Sequence, residues 1–173
     1  FLGFGLHIEQ DSTVWVGTAG GINISDNALT APLDSVRWRH IDFNGSSNGL
    51  LSNWIITIKK QPGTNRIWMT NWIANANEGE FGVVFTEDGG ETYTQMLQGN
   101  RVFDIGFKDG RVFVASENGL FTSSDNGKTW RRFSQIQSPN TFIKSSADIL
   151  SLASTTNRLW VGTEDGLAST NNF

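Results

Sequence analysis

Two short segments of the sequence place a carboxylate inside a turn-forming pattern. Residues 123–130 read Ser-Ser-Asp-Asn-Gly-Lys-Thr-Trp, and residues 86–93 read Thr-Glu-Asp-Gly-Gly-Glu-Thr-Tyr. In this setting the carboxylate of Asp125 or Asp88 accepts hydrogen bonds from the N–H groups of a turn. The glycine two positions later supplies a positive φ angle. Although both aspartates look catalytic, the pattern predicts that they are structural turn residues.

Other acidic side chains are candidates for acid–base chemistry only because they are acidic. A glycosidase needs two carboxyl groups about 5 to 9.5 Å apart. Asp104 and Asp148 lie on strands that we expect to be innermost, where contact with water in a channel also explains them. Two further acidic candidates are Asp42 and Glu164. Hydrolysis by inner-strand carboxylates therefore stays open as an alternative to binding.

The residues that usually hold metals or cofactors are scarce. The sequence contains no cysteine, and its two histidines, His7 and His40, fall in different predicted strands without metal-ligand spacing. It also lacks a phosphate-binding loop and the Gly-x-Ser-x-Gly nucleophile elbow. We therefore expect no metal, no cofactor and no disulfide.

These side chains are carried by a repeat that recurs through the chain. Its centre is an aliphatic–aromatic–apolar segment whose aromatic residues are about 45 to 53 residues apart, a period typical of propeller arrays. An alternating strand precedes each centre, a glycine-led strand follows it, and a fourth strand ends the first three repeats at 36–41, 92–96 and 129–133. No segment has a sustained period of 3.6, so we predict almost no helix. The central aromatic residues are Trp15, Trp68, Phe113 and Trp160.

The repeat predicts an all-β fold, because four antiparallel strands per unit form the blade of a β-propeller. We expect a single propeller segment over residues 1–173, with about three and a half four-stranded antiparallel blades. The predicted blades span approximately 1–45, 50–98, 100–137 and 146–173, and the last lacks its fourth strand. Closure protects the edges of propeller sheets. We therefore expect a partial propeller, completed by further blades of the same parent chain or by a second copy.

One insertion is the candidate ligand-binding loop. Between the second and third strands of the second repeat lies Trp-Ile-Ala-Asn-Ala-Asn-Glu-Gly-Glu at 72–80, where the third and fourth repeats have only two or three residues. Loops carry function more often than the scaffold does. Trp72 offers a stacking ring, and Asn75, Asn77 and Glu78 offer polar partners for a sugar. The alternative is that Trp72 covers the neighbouring blade.

Charge and hydropathy exclude two classes of partner. The formal net charge is -4, with acidic and basic residues interspersed. A nucleic-acid-binding surface is strongly basic and clustered, so we expect no nucleic acid. No run of 18 apolar residues is present, so we expect no membrane insertion.

The two turn segments resemble the Asp-box repeat, also called the BNR or sialidase-type repeat, with the pattern S-x-D-x-G-x-T-W. That resemblance implies a structural turn between the third and fourth strands of a blade, away from any active site. Sialidases also need a tyrosine nucleophile, but the single tyrosine, Tyr93, occupies the packed aromatic position of the pattern. The resemblance also extends to xyloglucan-cleaving hydrolases, so a fragment of such an enzyme is the alternative function. The matching residues are Thr86, Asp88, Gly90, Thr92, Tyr93, Ser123, Asp125, Gly127, Thr129 and Trp130.

A second resemblance is to the two-component regulator propeller repeat. Residues 49–58, Gly-Leu-Leu-Ser-Asn-Trp-Ile-Ile-Thr-Ile, are similar to its first half, and residues 159–167, Leu-Trp-Val-Gly-Thr-Glu-Asp-Gly-Leu, to its second. This resemblance implies an extracytoplasmic bacterial module, in the periplasm, at the cell surface or secreted. It also implies binding or scaffolding, with a carbohydrate or a protein as the ligand. Many functions share one fold, so the ligand stays open.

Overall fold

The protein is described by a computed structural model over residues 2–75, 77–133 and 147–171. Within these residues every regular element is a β-strand, apart from one 3₁₀ turn at Leu33–Ser35. The strands form four antiparallel sheets, and each sheet keeps its strands in sequence order. The chain divides into two compact units, Phe1–Gly99 and Asn100–Phe173.

The first unit contains two four-stranded sheets. In both sheets, each strand pairs with the next strand along the chain. The first sheet consists of β1 (Gly3–Ile8), β2 (Val14–Thr18), β3 (Gly21–Ser25) and β4 (Arg39–Ile41), and the second of β5 (Trp54–Lys60), β6 (Ile67–Trp72), β7 (Gly82–Thr86) and β8 (Thr94–Met96).

The two sheets of this unit pack closely because glycines leave room between them. A Cβ atom on Gly17 would lie 2.5 Å from the carbonyl oxygen of Ile55, and one on Gly5 would lie 3.0 Å from the side chain of Ile58. Strand β5 therefore rests directly on β1 and β2. The apolar core between the sheets includes Trp15, Ile22, Leu50, Ile67 and Met69.

The second unit repeats this arrangement with one four-stranded and one three-stranded sheet. Leu152 packs against Gly106, where a Cβ atom would lie 3.0 Å from the Cβ of Leu152. The core joining the two sheets includes Phe113, Leu120, Ile149, Leu159 and Val161. The strands are β9 (Val102–Lys108), β10 (Arg111–Ser116), β11 (Gly119–Ser123) and β12 (Arg131–Phe133), followed by β13 (Ile149–Ser154), β14 (Leu159–Thr163) and β15 (Gly166–Thr170).

The predicted all-β fold of four-stranded antiparallel blades is confirmed, but the fourth strands are shorter than expected. They begin at Arg39, Thr94 and Arg131 rather than at 36, 92 and 129. The residues just before them are held by turn hydrogen bonds instead of the sheet ladder; Thr92 N–H, for example, donates to Asp88 at 3.0 Å. No helix within residues 2–75, 77–133 and 147–171 is long and apolar enough to cross a membrane.

Candidate binding site

The candidate loop replaces a turn that the other three sheets share. In those sheets a hydroxyl residue at the end of the second strand donates to the carbonyl of a glycine three positions later. The donor–acceptor pairs are Thr18–Gly21 at 3.0 Å, Ser116–Gly119 at 2.8 Å and Thr163–Gly166 at 2.9 Å. In the second sheet Asn71 stands at this position, and ten residues separate it from Gly82, its cross-strand partner.

Asn71 ties the base of the loop to the segment that precedes β5. Its Oδ1 atom accepts a hydrogen bond from the N–H of Leu51 at 2.7 Å, and its side chain is fully buried. Among the described residues its Nδ2 atom has no hydrogen-bond partner. A buried amide group in this position fixes where the loop leaves the sheet.

The loop returns to the sheet along the same segment. Gly79 pairs with Ser52 through a β-bridge, and the N–H of Glu80 donates to the carbonyl of Leu51 at 2.9 Å. The Ser52 hydroxyl donates to the carbonyl of Trp72. Both ends of the loop are therefore anchored to residues 51–52.

The polar residues predicted to meet a ligand hold the loop in shape. The Asn75 amide donates to the Glu78 carboxylate at 2.7 Å, and the Asn75 carbonyl oxygen accepts from the N–H of Asn77 at 3.1 Å. All three side chains are exposed. They thus present acceptors and donors to solvent in a fixed arrangement.

Trp72 belongs to an aromatic surface beside these polar groups. Its half-buried ring lies edge-on to Phe81, with centroids 6.5 Å apart, and Trp54 is its direct cross-strand partner. The ring of Phe4 lies 5.9 Å from that of Trp54 and is 40% exposed. The structure therefore adds Phe4, Trp54 and Phe81 to the predicted site. The sequence did not predict Phe4 and Trp54 as site residues because they belong to the apolar pattern of the inner strands.

The two predicted turns carry dense hydrogen bonding around their aspartates. Asp88 Oδ1 accepts from the Thr86 hydroxyl at 2.7 Å, and its Oδ2 accepts from the Thr92 hydroxyl at 2.6 Å. Thr86 Oγ1 in turn accepts from the N–H of Gly90 at 2.9 Å. The bonds from Thr92 hold the pKa of Asp88 well below its usual range.

The second turn has the same geometry. Asp125 accepts from the Ser123 hydroxyl at 2.7 Å and from the N–H and hydroxyl of Thr129 at 2.9 and 2.6 Å. The Thr129 hydroxyl is the main cause that lowers the pKa of Asp125 to about 2. An aspartate held so firmly as an anion is a hydrogen-bond acceptor and a poor general acid.

The first sheet contains a turn of the same kind that the sequence pattern missed. Asn27 Oδ1 accepts from the Ser25 hydroxyl at 3.1 Å and from the N–H of Arg37 at 3.0 Å, and its Nδ2 donates to the carbonyl of Ser35 at 3.1 Å. Asn27 therefore has the structural role of Asp88, although more residues separate Asn27 from Arg37 than separate Asp88 from Thr92. The signal available in the sequence was the Ser-x-Asn spacing after a glycine-led strand.

Solved structures resemble this chain over nearly all of its length. The extracellular domain of the hybrid two-component system BT4673 from B. thetaiotaomicron matches 96% of this chain and 21% of its own, with a TM-score of 0.69 and 13% identity. PorZ, a bacterial surface component of the type-IX secretion system of Porphyromonas gingivalis, matches 98% and 26%, with a TM-score of 0.72 and 18% identity. An ancestral GH74 enzyme matches 92% and 21%, with a TM-score of 0.66 and 17% identity.

The chain is a partial β-propeller. The four sheets are its blades, and the chain spans about a quarter or less of the length of each of those three proteins. No family model and no curated protein matches the sequence. At these identities the likeness shows the fold alone.

Of the two carboxylates predicted on inner strands, Asp104 lies on β9, whereas Asp148 directly precedes β13, so that part of the prediction is wrong. Asp104 uses both oxygens in hydrogen bonds to backbone N–H groups, at 2.8 Å each. Burial is the main cause that raises the pKa of Asp148, and nearby Glu164 and Glu117 add to it. Asp42 is exposed in the other unit, beyond the end of β4.

The two histidines, His7 and His40, also have different surroundings. His40 Nδ1 is 3.0 Å from the Asn23 side-chain oxygen. Burial lowers the pKa of His7, which lies on β1. Among the described residues no group of three or more His, Asp or Glu side chains is arranged to hold a metal ion.

An open groove of about 700 Å³ lies between the turn after β1 and the turn after β5. Two of its polar side chains contact the central tryptophans: Glu9 forms an ion pair with Lys60 and accepts from the Trp15 indole at 2.9 Å. Gln61 accepts from the Trp68 indole at 3.0 Å in the same way. These contacts hold the central tryptophans of two blades in place.

Proposed function

We propose that this propeller segment is a binding or scaffold module of an extracytoplasmic bacterial protein, a surface, secreted or sensor protein. It recognises a glycan through the surface formed by Phe4, Trp54, Trp72 and the 73–81 loop. The single observation that carries the proposal is the aromatic surface beside exposed, preordered amide and carboxylate groups. The similar folds of an extracellular two-component domain and of a secretion-system surface component support the location.

The chemistry of the loop suits a sugar. An exposed aromatic ring stacks on the apolar face of a pyranose, and neighbouring polar groups fix its orientation. Asn75 and Glu78 already hold each other at 2.7 Å, so little side-chain freedom is lost when a ligand binds. Asn77, exposed beside them, supplies a further donor and acceptor.

A glycan array tests this function. Trp72→Ala is expected to abolish the glycan signal while the thermal midpoint stays close to that of the parent protein. Trp38→Ala is the matched control, because Trp38 is 47% exposed but precedes β4, outside this surface. Glycan binding that survives Trp72→Ala would contradict the proposal, and an array without hits would favour docking of a protein partner.

We also propose that the turns at 86–93 and 123–130 are Asp-box turns with a purely structural role. The hydrogen bonds of Asp88 and Asp125 to the residues of their own turns support this assignment. We further propose that residues 49–58 and 159–167 belong to two-component regulator propeller repeats. We also propose that the blades span 1–45, 50–98, 100–137 and 146–173.

A fragment of a xyloglucanase-like glycoside hydrolase is the second candidate. The likeness to an ancestral GH74 enzyme and the raised pKa of Asp148 favour it. In that case Asp148 serves as the acid and Asp104 as the second carboxylate. Xyloglucan hydrolysis that is lost in both Asp104→Asn and Asp148→Asn would support an enzyme, and unchanged hydrolysis would remove these residues from it.

The proposed partners include further blades, from the same parent chain or from a second copy. The side of β1 that faces away from the second blade supports this, because the apolar side chains there and just before it are 49–70% exposed. Exposed apolar side chains grouped in this way mark an interaction site. The residues are Leu2, Leu6 and Ile8, whereas Phe4 belongs to the glycan surface beside Trp54.

A further inference from the structure

In the first unit an arginine of one blade holds the turn of the next. The Arg39 guanidinium donates to the carbonyl oxygens of Gly89 and Gly90 and pairs with the Glu91 carboxylate at 3.3 Å. Arg39 begins β4, whereas the other three residues belong to the turn between β7 and β8. This contact joins the outer part of the first blade to the second.

The same turn fits closely against the apolar residues beside Arg39. A Cβ atom on Gly90 would lie 3.0 Å from Ile24 Cδ1 and 3.1 Å from Ile41 Cδ1, and Gly90 itself is buried. Ile24 is the direct cross-strand partner of Arg39. Ile24, Arg39 and Ile41 of β3 and β4 therefore form a seat, meaning the surface on which this glycine-containing acidic turn packs.

The third blade carries the same seat in the same register. Thr122 pairs with Arg131 as Ile24 pairs with Arg39, and Leu120 pairs with Phe133 as Ile22 pairs with Ile41. A groove of about 230 Å³ lies at this place. Both Arg111 and Arg131 line it, so two arginine residues contribute to the groove.

Two side chains of this groove are suited to polar partners. Thr122 is only 5% exposed, and among the described residues its hydroxyl has no hydrogen-bond partner. The Arg131 guanidinium lies 4.6 Å over the ring of Phe133, which leaves the edges of its planar group able to donate. A carboxylate and backbone carbonyls are the acceptors that such a group binds best.

The fourth blade follows the third as the second follows the first. Leu152 of β13 packs on Gly106 of β9, just as Ile58 of β5 packs on Gly5 of β1. A turn that joins β15 to a fourth strand would therefore lie over β11 and β12, as the 87–93 turn lies over β3 and β4.

We propose that the groove of Arg111, Thr122 and Arg131 is the docking site for an acidic, glycine-containing turn like 87–93, contributed by the completed fourth blade. Arg131 binds the carbonyl oxygens and the carboxylate of that turn. Thr122 occupies the position of Ile24 in the first blade, and its hydroxyl is an additional hydrogen-bonding group for the turn. This site is independent of the glycan surface in the first unit.

An extended protein tests the assignment directly. Its chain continues from Thr170 with a copy of residues 87–96, which supplies both the turn and a fourth strand at high effective concentration. We expect the extension to raise the thermal midpoint, and Arg131→Ala in the extended protein to remove most of that gain. Arg132→Ala is the matched control, because Arg132 pairs with Phe121 and points to the opposite side of β12.

A second variant tests the chemistry of the turn. In the copied segment, the residue derived from Glu91 is changed to Gln, which is expected to weaken the gain without changing the strand. Should the extended protein fail to fold, the copied peptide added at millimolar concentration is expected to shift the NMR signals of Thr122 and Arg131 in the parent protein. An extension that gives no gain, a gain equal in the Arg131→Ala and Arg132→Ala proteins, or no shift on peptide addition would overturn the proposal.

Discussion

The Oδ2 atom of Asp104 accepts a hydrogen bond from the backbone N–H of Leu152 at 2.8 Å. Asp104 lies on β9 and Leu152 on β13, so a single carboxylate connects the innermost strands of two blades. Its Oδ1 atom accepts from the N–H of Ile105 at 2.8 Å. The residue that looked like a catalytic acid in the sequence therefore joins the two sheets of the second unit.

Asp104→Asn is expected to destabilise the second unit. One amide group cannot accept at both positions, because its nitrogen is a donor and would face an N–H group. We expect a loss of about 1 kcal/mol in the free energy of unfolding, measured by urea titration. Asp42→Asn, at an exposed position, is the control and is expected to leave stability unchanged. Equal stability of the Asp104→Asn and parent proteins would show that this contact does not hold the blades together.

The turn of Asp125 predicts a dependence of stability on pH. The pKa of this carboxylate is lowered to about 2 in the folded protein, chiefly by the Thr129 hydroxyl, whereas in an unfolded chain it is about 4. Its contribution is therefore present above about pH 4 and is lost as the pH falls toward 2. Asp125→Asn is expected to lower the thermal midpoint at pH 7, and the difference from the parent protein should shrink at pH 2. A difference that is constant with pH would argue against this linkage.

The buried hydroxyl of Thr86 predicts a contrast between two substitutions. It accepts from the N–H of Gly90 and donates to Asp88, and it is only 1% exposed. Thr86→Val keeps the shape but leaves a buried N–H without its acceptor, at a cost of about 1–3 kcal/mol. Thr86→Ser retains the hydroxyl, as Ser25 and Ser123 do in their own turns. Chemical denaturation should therefore rank serine above valine, and the reverse order would refute the assigned role.

The outward side of β1 predicts self-association or pairing with another blade. Leu6 is 63% exposed, whereas Ile58 and Leu152, which occupy the same place in their blades, are 4% and 6% exposed. Leu6→Lys is expected to abolish association of the chain, measured by light scattering, because it puts a charge into an apolar contact. Thr13→Lys, in the neighbouring turn, adds the same charge outside that surface. A parent protein that is monomeric at all concentrations would count against association with a second copy.

The sequence predicted the blades better than it predicted the site. Alternation and the glycine-led strands located the sheets because burial on one side of a strand leaves a periodic trace. Asn27 escaped because its partners, Ser35 and Arg37, follow an insertion that breaks the fixed spacing of the turn pattern. Phe4 and Trp54 were not predicted as site residues, because an aromatic residue on an inner strand fits the pattern of a core residue. Only the position of the neighbouring strand shows that it belongs to a surface.

The anchoring of the candidate loop at Gly79 gives a test of the binding surface that leaves its side chains intact. Gly79 has a φ of 103°, and a Cβ atom there would lie 2.0 Å from the carbonyl oxygen of Leu51. Gly79→Ala is therefore expected to displace the loop, to expose 73–81 to proteolysis and to weaken glycan binding at least tenfold. Gly63→Ala is the matched control: Gly63 has a φ of 74°, with no atom within 4 Å of a Cβ, so the substitution adds backbone strain of about 1 kcal/mol without a clash. If both variants lose binding equally, the loss reports reduced stability. If only Gly79→Ala loses it, the position of the loop determines recognition.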